Sequence, residues 1–463
     1  MDGFSAPLLA ALEDYAASGM VPMHMPGHKR NEALLGDALP WRLDVTEVEG
    51  FDNLHGAEGL LKAAMERAAR LYGGKRSFFL VNGSTCGLLA AIRALTGRGD
   101  RILVARGCHR SVYHAMELNG LRPVYLMPPV DGASGVAGGI EPASVAAALA
   151  VHPDIRLCAL TSPTYEGVVS DIRAIADILH ARGVALLVDE AHGAHFLSPR
   201  FPESAVRLGA DCVVHSLHKT LPSLTQTALL HVLTDRVDAQ EIARQLSIFE
   251  TSSPSYPLMA SIDRCVGLMA KRGEELLAAF RARTDRFRAR VRPMERLRVL
   301  EKADVFYALD PGKITLVTRG SSTSGYQLMD ELRARGFELE MATPGYALAL
   351  ATLADGEDAL DRLAGALLEI DRGLLAAPAE PIALPGPPRV ELTIDAALAL
   401  PGETVAVERA VGRIAQEYAW VYPPGAPLIA PGERVGEELP GWIARLRART
   451  SSGQPGTLRV VTC

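Results

Sequence analysis

The sequence predicts an α/β protein built on a mostly parallel, seven-stranded sheet flanked by helices, followed by a smaller α+β domain and a C-terminal domain. Three observations carry this expectation. Between residues 76 and 232, short apolar and β-branched runs alternate with longer helical patterns. That order needs crossover connections and gives parallel strands covered on both faces. The residues suited to chemistry in this stretch cluster just after the strands, where such sheets bind ligands. The length, 463 residues, is enough for more than one core.

Each element follows from its local pattern. Strands are expected at 77–81, 101–105, 123–127 and 155–161, at the run ending in Asp189, at the run ending near His215, and at 227–232. Helices are expected at 84–95, 109–119, 142–150 and 172–182. A long helical stretch, 254–290, leaves the large domain. Segments 305–309 and 314–318, a helix at 325–335 and a segment at 348–351 outline the smaller domain. Residues 376–389 are rich in proline and alanine and read as a linker. The tail has a helical pattern at 405–417, then Tyr422-Pro423-Pro424-Gly425. The expected domains are 1–255 for the N-terminal segment and large domain, 256–375 for the linking helix and small domain, and 390–463 for the C-terminal domain.

Composition narrows the function. Lys and Arg total 48 against 54 Asp and Glu, a formal net charge of −6, so nucleic acid is not an expected partner. The six cysteines are scattered without a C-x-x-C pair, which argues against zinc ribbons and disulfide frameworks. The first residues lack a signal-peptide pattern and no apolar run reaches membrane-spanning length, so a cytoplasmic protein with no membrane partner is expected. Glu190, His192 and His195 are closely spaced, as are His24 and His28, but no third and fourth ligands accompany them and no metal is expected.

The chemistry centres on Ser216-Leu217-His218-Lys219-Thr220, which follows the apolar run Cys212-Val213-Val214. Upstream, Val184-Ala185-Leu186-Leu187-Val188 ends in Asp189-Glu190-Ala191-His192. A strand ending in a carboxylate, then one ending in a lysine, suits pyridoxal 5′-phosphate (PLP). The lysine forms an imine with the cofactor, and the aspartate keeps the pyridine nitrogen protonated. Asn82-Gly83-Ser84-Thr85-Cys86-Gly87 joins a strand to a helix and offers N–H groups and hydroxyls to a phosphate, although a plain helix cap has the same composition. Ser216 and His218 would supplement that cradle, with Thr220 and Thr225 as weaker candidates. His109, in Arg106-Gly107-Cys108-His109-Arg110-Ser111, sits where an imidazole stacks on a flat ring or caps a helix. Glu190, next to Asp189, points elsewhere on an extended strand. The role of His192 stays open between cofactor contact and proton transfer.

These residues, in this order, resemble the Orn/Lys/Arg decarboxylases of PLP fold type I. The resemblance also rests on His24-Met25-Pro26-Gly27-His28-Lys29, Asp44-Val45-Thr46-Glu47, Asp52-Asn53-Leu54-His55, Pro163-Thr164-Tyr165-Glu166-Gly167 and Pro431-Gly432-Glu433. It is a likeness to the short branch, without a receiver-like domain before Pro26. It implies that Lys219 holds the cofactor, Asp189 pairs with its ring nitrogen, His109 stacks on the ring, and Ser84, Thr85, Ser216 and His218 bind the phosphate. Cys86 stands where a small residue is expected in the cradle, and His192 lies within contact range of the cofactor. The resemblance further implies a homodimer or higher homo-oligomer whose sites are completed by the neighbouring chain near Ser252-Ser253-Pro254-Ser255-Tyr256.

The implied reaction is decarboxylation of a basic L-amino acid, arginine first, then lysine or ornithine. The α-carboxylate is held perpendicular to the ring, and a proton returns from His218 or Lys219. Glu433 and Glu166 are candidates for the remote cationic end. Another PLP reaction on the same fold is the first rival: an aminotransferase, for which Arg389 or Arg413 would hold the substrate carboxylate, a β-eliminating lyase or an aldolase. A non-catalytic homologue is the second, and the presence of both Lys219 and Asp189 argues against it.

Overall fold

The computed structural model describes residues 6–18, 25–26, 29–30, 32–379, 386–421, 426–445, 449–451 and 456–462. The chain divides into two compact units, one made of residues 1–95 with 187–279 and the other of 96–186 with 280–463. Strands of a mostly parallel seven-stranded sheet occur in both. The fold class is therefore the α/β arrangement anticipated from the alternating pattern.

In the first unit, Arg76–Leu80 pairs antiparallel with Ala228–Val232, which pairs antiparallel with Cys212–Ser216. Cys212–Ser216 in turn runs parallel to Ala185–Asp189, with Asp189 level with Val214. Cys212–Ser216 and Ala228–Val232 are buried at every position, which is why their sequences are nearly continuous apolar runs rather than alternating ones. The helix Gly83–Leu95 lies on one face; Gly87 comes so close to the sheet that a Cβ there would meet the Leu80 side chain at 2.6 Å. The helix Leu60–Tyr72 packs toward the other face, and the Asp52 carboxylate accepts N–H bonds from Gly59 and Leu61 at its start.

In the second unit, Arg101–Ala105 lies parallel between Arg122–Leu126 and Ile155–Thr161. The helices Arg110–Asn119, Pro142–Val151 and Ile172–His180 follow the expected order, the last capped by Asp171, which accepts from Ala174 N–H. A four-stranded antiparallel sheet orders Met341–Ala342, Tyr346–Leu350, Lys313–Val317 and Arg298–Val299. The helices Gly325–Ala334 and Ala359–Gly373 belong to the same unit. The long helix expected at 254–290 is Tyr256–Val291, 36 residues.

Two expectations need correction. Residues 305–307 are not strand; the short strand is Ala308–Leu309, after a 3-10 turn at Lys302–Asp304 whose capping box closes on Glu301 and Asp304. The helical pattern at 405–417 is also not a helix. Gly402–Ala406 pairs antiparallel with Thr457–Val461, Val407–Ala410 makes a 3-10 turn, and the backbone then turns at Gly412, whose φ of +80° no helix accommodates. The apolar spacing there builds a small core of its own, with Val407, Ala410, Ala415, Leu458 and Val460. The motif residues His24, Gly27 and His28, and Tyr422-Pro423-Pro424-Gly425, lie outside the described residues.

Candidate active site

Most of the residues singled out in the sequence come together at the carboxyl ends of the first unit's strands. Lys219 sits in a single helical turn, Leu217–Thr220, directly after Cys212–Ser216. Its Nζ lies 3.1 Å from His192 Nε2. Asp189 ends its strand and is buried; its carboxylate accepts the Ala191 N–H at 3.2 Å. Burial pushes the Asp189 pKa up, while the nearby Lys219 charge and the Ala191 N–H pull it down. A buried carboxylate in this position calls for a cationic neighbour.

The phosphate-cradle candidates form a second group. Ser84 and Ser216 are 2.8 Å apart through their hydroxyls, which joins the start of the Gly83–Leu95 helix to the lysine-bearing strand. Thr85 is half-buried in the same first turn. The first N–H groups of an α-helix have no intrahelical acceptor, so this turn offers donors to an anion. Cys86 plays a different part: its side chain is fully buried and its thiol donates to Gly83 O at 3.0 Å, so only its backbone faces the turn. Burial beside Glu250 pushes that thiol well up, which keeps it protonated. His218 donates from Nδ1 to Thr227 O at 2.9 Å, leaving Nε2 without a proton in the neutral ring. Burial lowers its pKa, the Thr227 carbonyl opposes this, and the Lys219 charge lowers it further.

Two residues missed in the sequence hold this turn in shape. Gln226 has a left-handed backbone (φ 83°); its carbonyl accepts the Gly83 N–H at 2.9 Å and its side chain donates to Val81 O at 2.7 Å. Glu250 accepts the Val81 N–H at 2.9 Å. A glutamine in a loop and a glutamate at a helix end carry no local sequence signal for such a task. Thr220 is buried, whereas Thr225 is exposed.

His109 belongs to the second unit. It caps the helix Arg110–Asn119, with Nδ1 2.8 Å from Ser111 Oγ. Glu433 is buried and takes a bidentate pair from Arg106, at 2.5 and 2.9 Å, together with the Ala430 N–H. Glu166 accepts the Tyr346 hydroxyl at 2.6 Å. Glu433 in particular is fully committed inside the protein and is set aside as a substrate carboxylate. Arg389 pairs with Glu391 at 2.7 Å, and Arg413 with Glu403 at 2.7 Å and Val461 O at 2.9 Å. Both arginines offered for an aminotransferase thus have protein partners. Among the described residues, no group of three or more His, Cys, Asp or Glu side chains is arranged to hold a metal ion.

The sequence model of the Orn/Lys/Arg decarboxylase major domain matches residues 6–337, and that of the family's C-terminal domain matches 393–456. The chain belongs to the Orn/Lys/Arg decarboxylase family. Among this family's members, an arginine decarboxylase of Bacillus subtilis is 31% identical over 96% of this chain and 94% of its own length. An uncharacterised protein of the same organism, YaaO, is 36% identical over 96% and 94%. The solved constitutive lysine decarboxylase of Escherichia coli superposes with a TM-score of 0.83 at 21% identity, covering 99% of this chain and 82% of that one. The fold is PLP fold type I.

The family's amino acid decarboxylases use PLP, and the donor set found here fits that group. Buried Asp189 would suit a protonated ring nitrogen, the Lys219 charge lies near it, and the Ser84–Ser216 hydroxyl pair at a helix start would suit a phosphate.

Proposed function

We propose that this chain decarboxylates a basic L-amino acid, arginine first and lysine or ornithine next, using pyridoxal 5′-phosphate held on Lys219. The observation that carries this reading is the placement of Lys219, His192 and buried Asp189 at adjoining strand ends, with Ser84 and Ser216 joined beside them. The similarity to arginine decarboxylases along nearly the whole chain supports the substrate order.

When bound, PLP supplies an electron sink for the pair left behind as carbon dioxide departs. The chain's own residues do the rest. Asp189 would keep the ring nitrogen protonated, and its burial would make that contact strong because little water competes for it. Ser84, Thr85, Ser216 and the backbone at Cys86 hold the phosphate. His192, 3.1 Å from the Lys219 amine, would fix its position. His218, tethered to Thr227 through Nδ1, presents Nε2 as a proton acceptor. A proton would return to the substrate from Lys219 or, once Nε2 has taken one up, from His218. From the family motif, His109 would stack on the ring. Holding the substrate by its remote cationic end aligns the bond that breaks.

The reading extends to a cytoplasmic homodimer or larger homo-oligomer with shared sites, for which the exposed Ser252 and Ser253 before buried Pro254 are suited. It also extends to functional domains at 1–255, 256–375 and 390–463. Among the described residues, no helix is long and apolar enough to cross a membrane.

The test is carbon dioxide release from PLP-loaded protein offered arginine, lysine and ornithine separately, with Lys219→Ala as control. Release from arginine that vanishes in the variant, with its fold intact by circular dichroism, is expected. Normal turnover in Lys219→Ala, or no release from any of the three, overturns the reading.

A further inference from the structure

Behind the anchors, on the opposite face of the same strands, four side chains from four separate segments make one continuous hydrogen-bonded line. Ser77 Oγ lies 2.7 Å from His231 Nδ1. His231 Nε2 lies 3.1 Å from His215 Nδ1, and His215 Nε2 lies 2.6 Å from Glu190 Oε2. Glu190 also accepts from Ser204 Oγ at 2.5 Å and from Ala205 N–H at 2.9 Å. All four members are buried, at 3% exposure or less. Tyr72 covers both imidazoles, with ring centroids at 4.6 and 4.7 Å, and is itself tied to Ala194 O. The backbone turn at Gly193 leaves room for the Glu190 side chain, since a Cβ there would stand 2.6 Å from Glu190 Cγ.

The line runs between two useful places. Glu190 directly follows Asp189, and His215 directly precedes Ser216, so it ties together the two strand ends that carry the anchors. Ser77, at the other end, lines a cleft of about 460 Å³ that is also lined by Lys75, Arg76 and Glu66. We propose that Ser77, His231, His215 and Glu190 form a buried proton relay from this cleft to the carboxylate beside Asp189. In it Glu190 is a positioning residue that acts on the site through Asp189. The proposal rests on the PLP reading for its effect on the cofactor.

The hydrogen bonds allow two directions, and they differ by one proton. With Glu190 ionised, Ser77 O–H donates to His231 Nδ1, His231 Nε2–H to His215 Nδ1, and His215 Nε2–H to Glu190. When a proton enters at Ser77, each hydrogen moves one link toward Glu190. The line then runs the other way, with Glu190 neutral and His231 Nδ1–H donating to Ser77. Both imidazoles are neutral in both states. That matches their burial, which lowers the His215 pKa to about 3, with His195 adding to the effect, and lowers that of His231 as well. Burial raises the Glu190 pKa to about 8, against the Ala205 and Ser204 hydrogen bonds and the nearby His195. The other titratable groups facing the line are His195, Tyr72 and, beyond Tyr72, Cys265.

The test compares PLP-loaded wild type, Glu190→Gln and Ser77→Ala by visible absorbance against pH, at equilibrium and after a rapid pH jump. Removing a negative charge near the ring should lower the absorbance midpoint of Glu190→Gln by roughly half to one pH unit. Ser77→Ala should keep the midpoint but slow the pH-jump response about tenfold, because the entry step is lost. A merely structural Ser77 would leave that rate alone. An unchanged midpoint in Glu190→Gln, or a wild-type rate in Ser77→Ala, overturns the proposal. If Glu190→Gln does not fold, His231→Gln cuts the middle link and must also slow the response. Wild type that takes up no PLP sinks the PLP reading instead. The relay is then judged on cofactor-free protein, where the melting temperature of Glu190→Gln must fall less steeply than that of wild type between about pH 5 and 8; an unchanged profile overturns it.

Discussion

Glu190 in the first unit and Glu433 in the second are both buried carboxylates, and the protein satisfies them in opposite ways. Glu433 meets a guanidinium: Arg106 grips both oxygens and lies over the Tyr125 ring at 4.7 Å. Burial alone would weaken the Arg106 charge, and the Glu433 carboxylate more than offsets it, so the arginine pKa goes up. Glu190 instead meets an imidazole, a hydroxyl and a backbone N–H. Its partners are neutral, and both the imidazole and the hydroxyl can donate or accept. The difference teaches where each solution belongs. A bidentate ion pair holds both groups in a set geometry and serves as a brace. A chain of reversible donors leaves the carboxylate free to change its charge, and it is this chain that lies behind the candidate active site.

The sharpest way to break the comparison is to remove Glu433. Glu433→Ala strands a buried guanidinium, and its cost in urea denaturation should be roughly 3–5 kcal/mol. The Arg106→Ala, Glu433→Ala double variant should be less destabilised than the sum of the two singles, because neither charge is then left alone. A loss below about 1 kcal/mol for Glu433→Ala would mean that the pair behaves like an exposed one. Next comes Asp189→Asn, which separates the front of the strand end from its back. Stability should hold, while kcat falls by a factor of about 10² to 10³, equivalent to roughly 3–4 kcal/mol of lost stabilisation. Wild-type turnover would remove Asp189 from its role.

The sequence made the front of the site readable and hid its back. Lys219, Asp189, Ser84 and Ser216 each follow an apolar run, so the period of the pattern brings them to one edge of the sheet. The strands fell within a residue or two for the same reason: continuous burial leaves a continuous apolar signature. Ser77, His215 and His231 lie inside those runs, where a polar residue reads only as an interruption. Their partners come from other strands, and Arg106 and Glu433 are 327 residues apart. Periodicity carries no information about such pairings. The tail at 405–417 was misread because its apolar spacing suits a helix as well as a strand followed by a turn, and only the backbone at Gly412 decides between them.

Gly193→Ala tests how closely the Glu190 arrangement is fitted. The added methyl meets Glu190 Cγ at 2.6 Å and the Phe196 ring at 3.0 Å. Overpacking of this kind costs about 1–3 kcal/mol, and it should be read as a lowered urea midpoint. A neutral result would show that the Glu190 side chain can shift without loss, which the relay geometry does not allow.

The smallest effect is expected at Glu250, which stands between the two extremes. Its partners are the Val81 N–H and its neighbours at the start of the Gly83–Leu95 helix, with no guanidinium or imidazole chain among them. Burial raises its pKa to about 7, and the hydrogen bonds from Val81, Cys86 and Asn82 restrain that rise. A carboxyl whose folded pKa lies above its unfolded value holds extra protons in the native state between the two values. Stability from this source is therefore full below about pH 4.5 and is lost as the pH rises toward 7. Glu250→Gln should flatten the fall of melting temperature across that window without changing the profile above pH 8. A Glu250→Gln profile that falls as steeply as that of wild type between about pH 4.5 and 7 would remove the Glu250 carboxyl as a source of that fall.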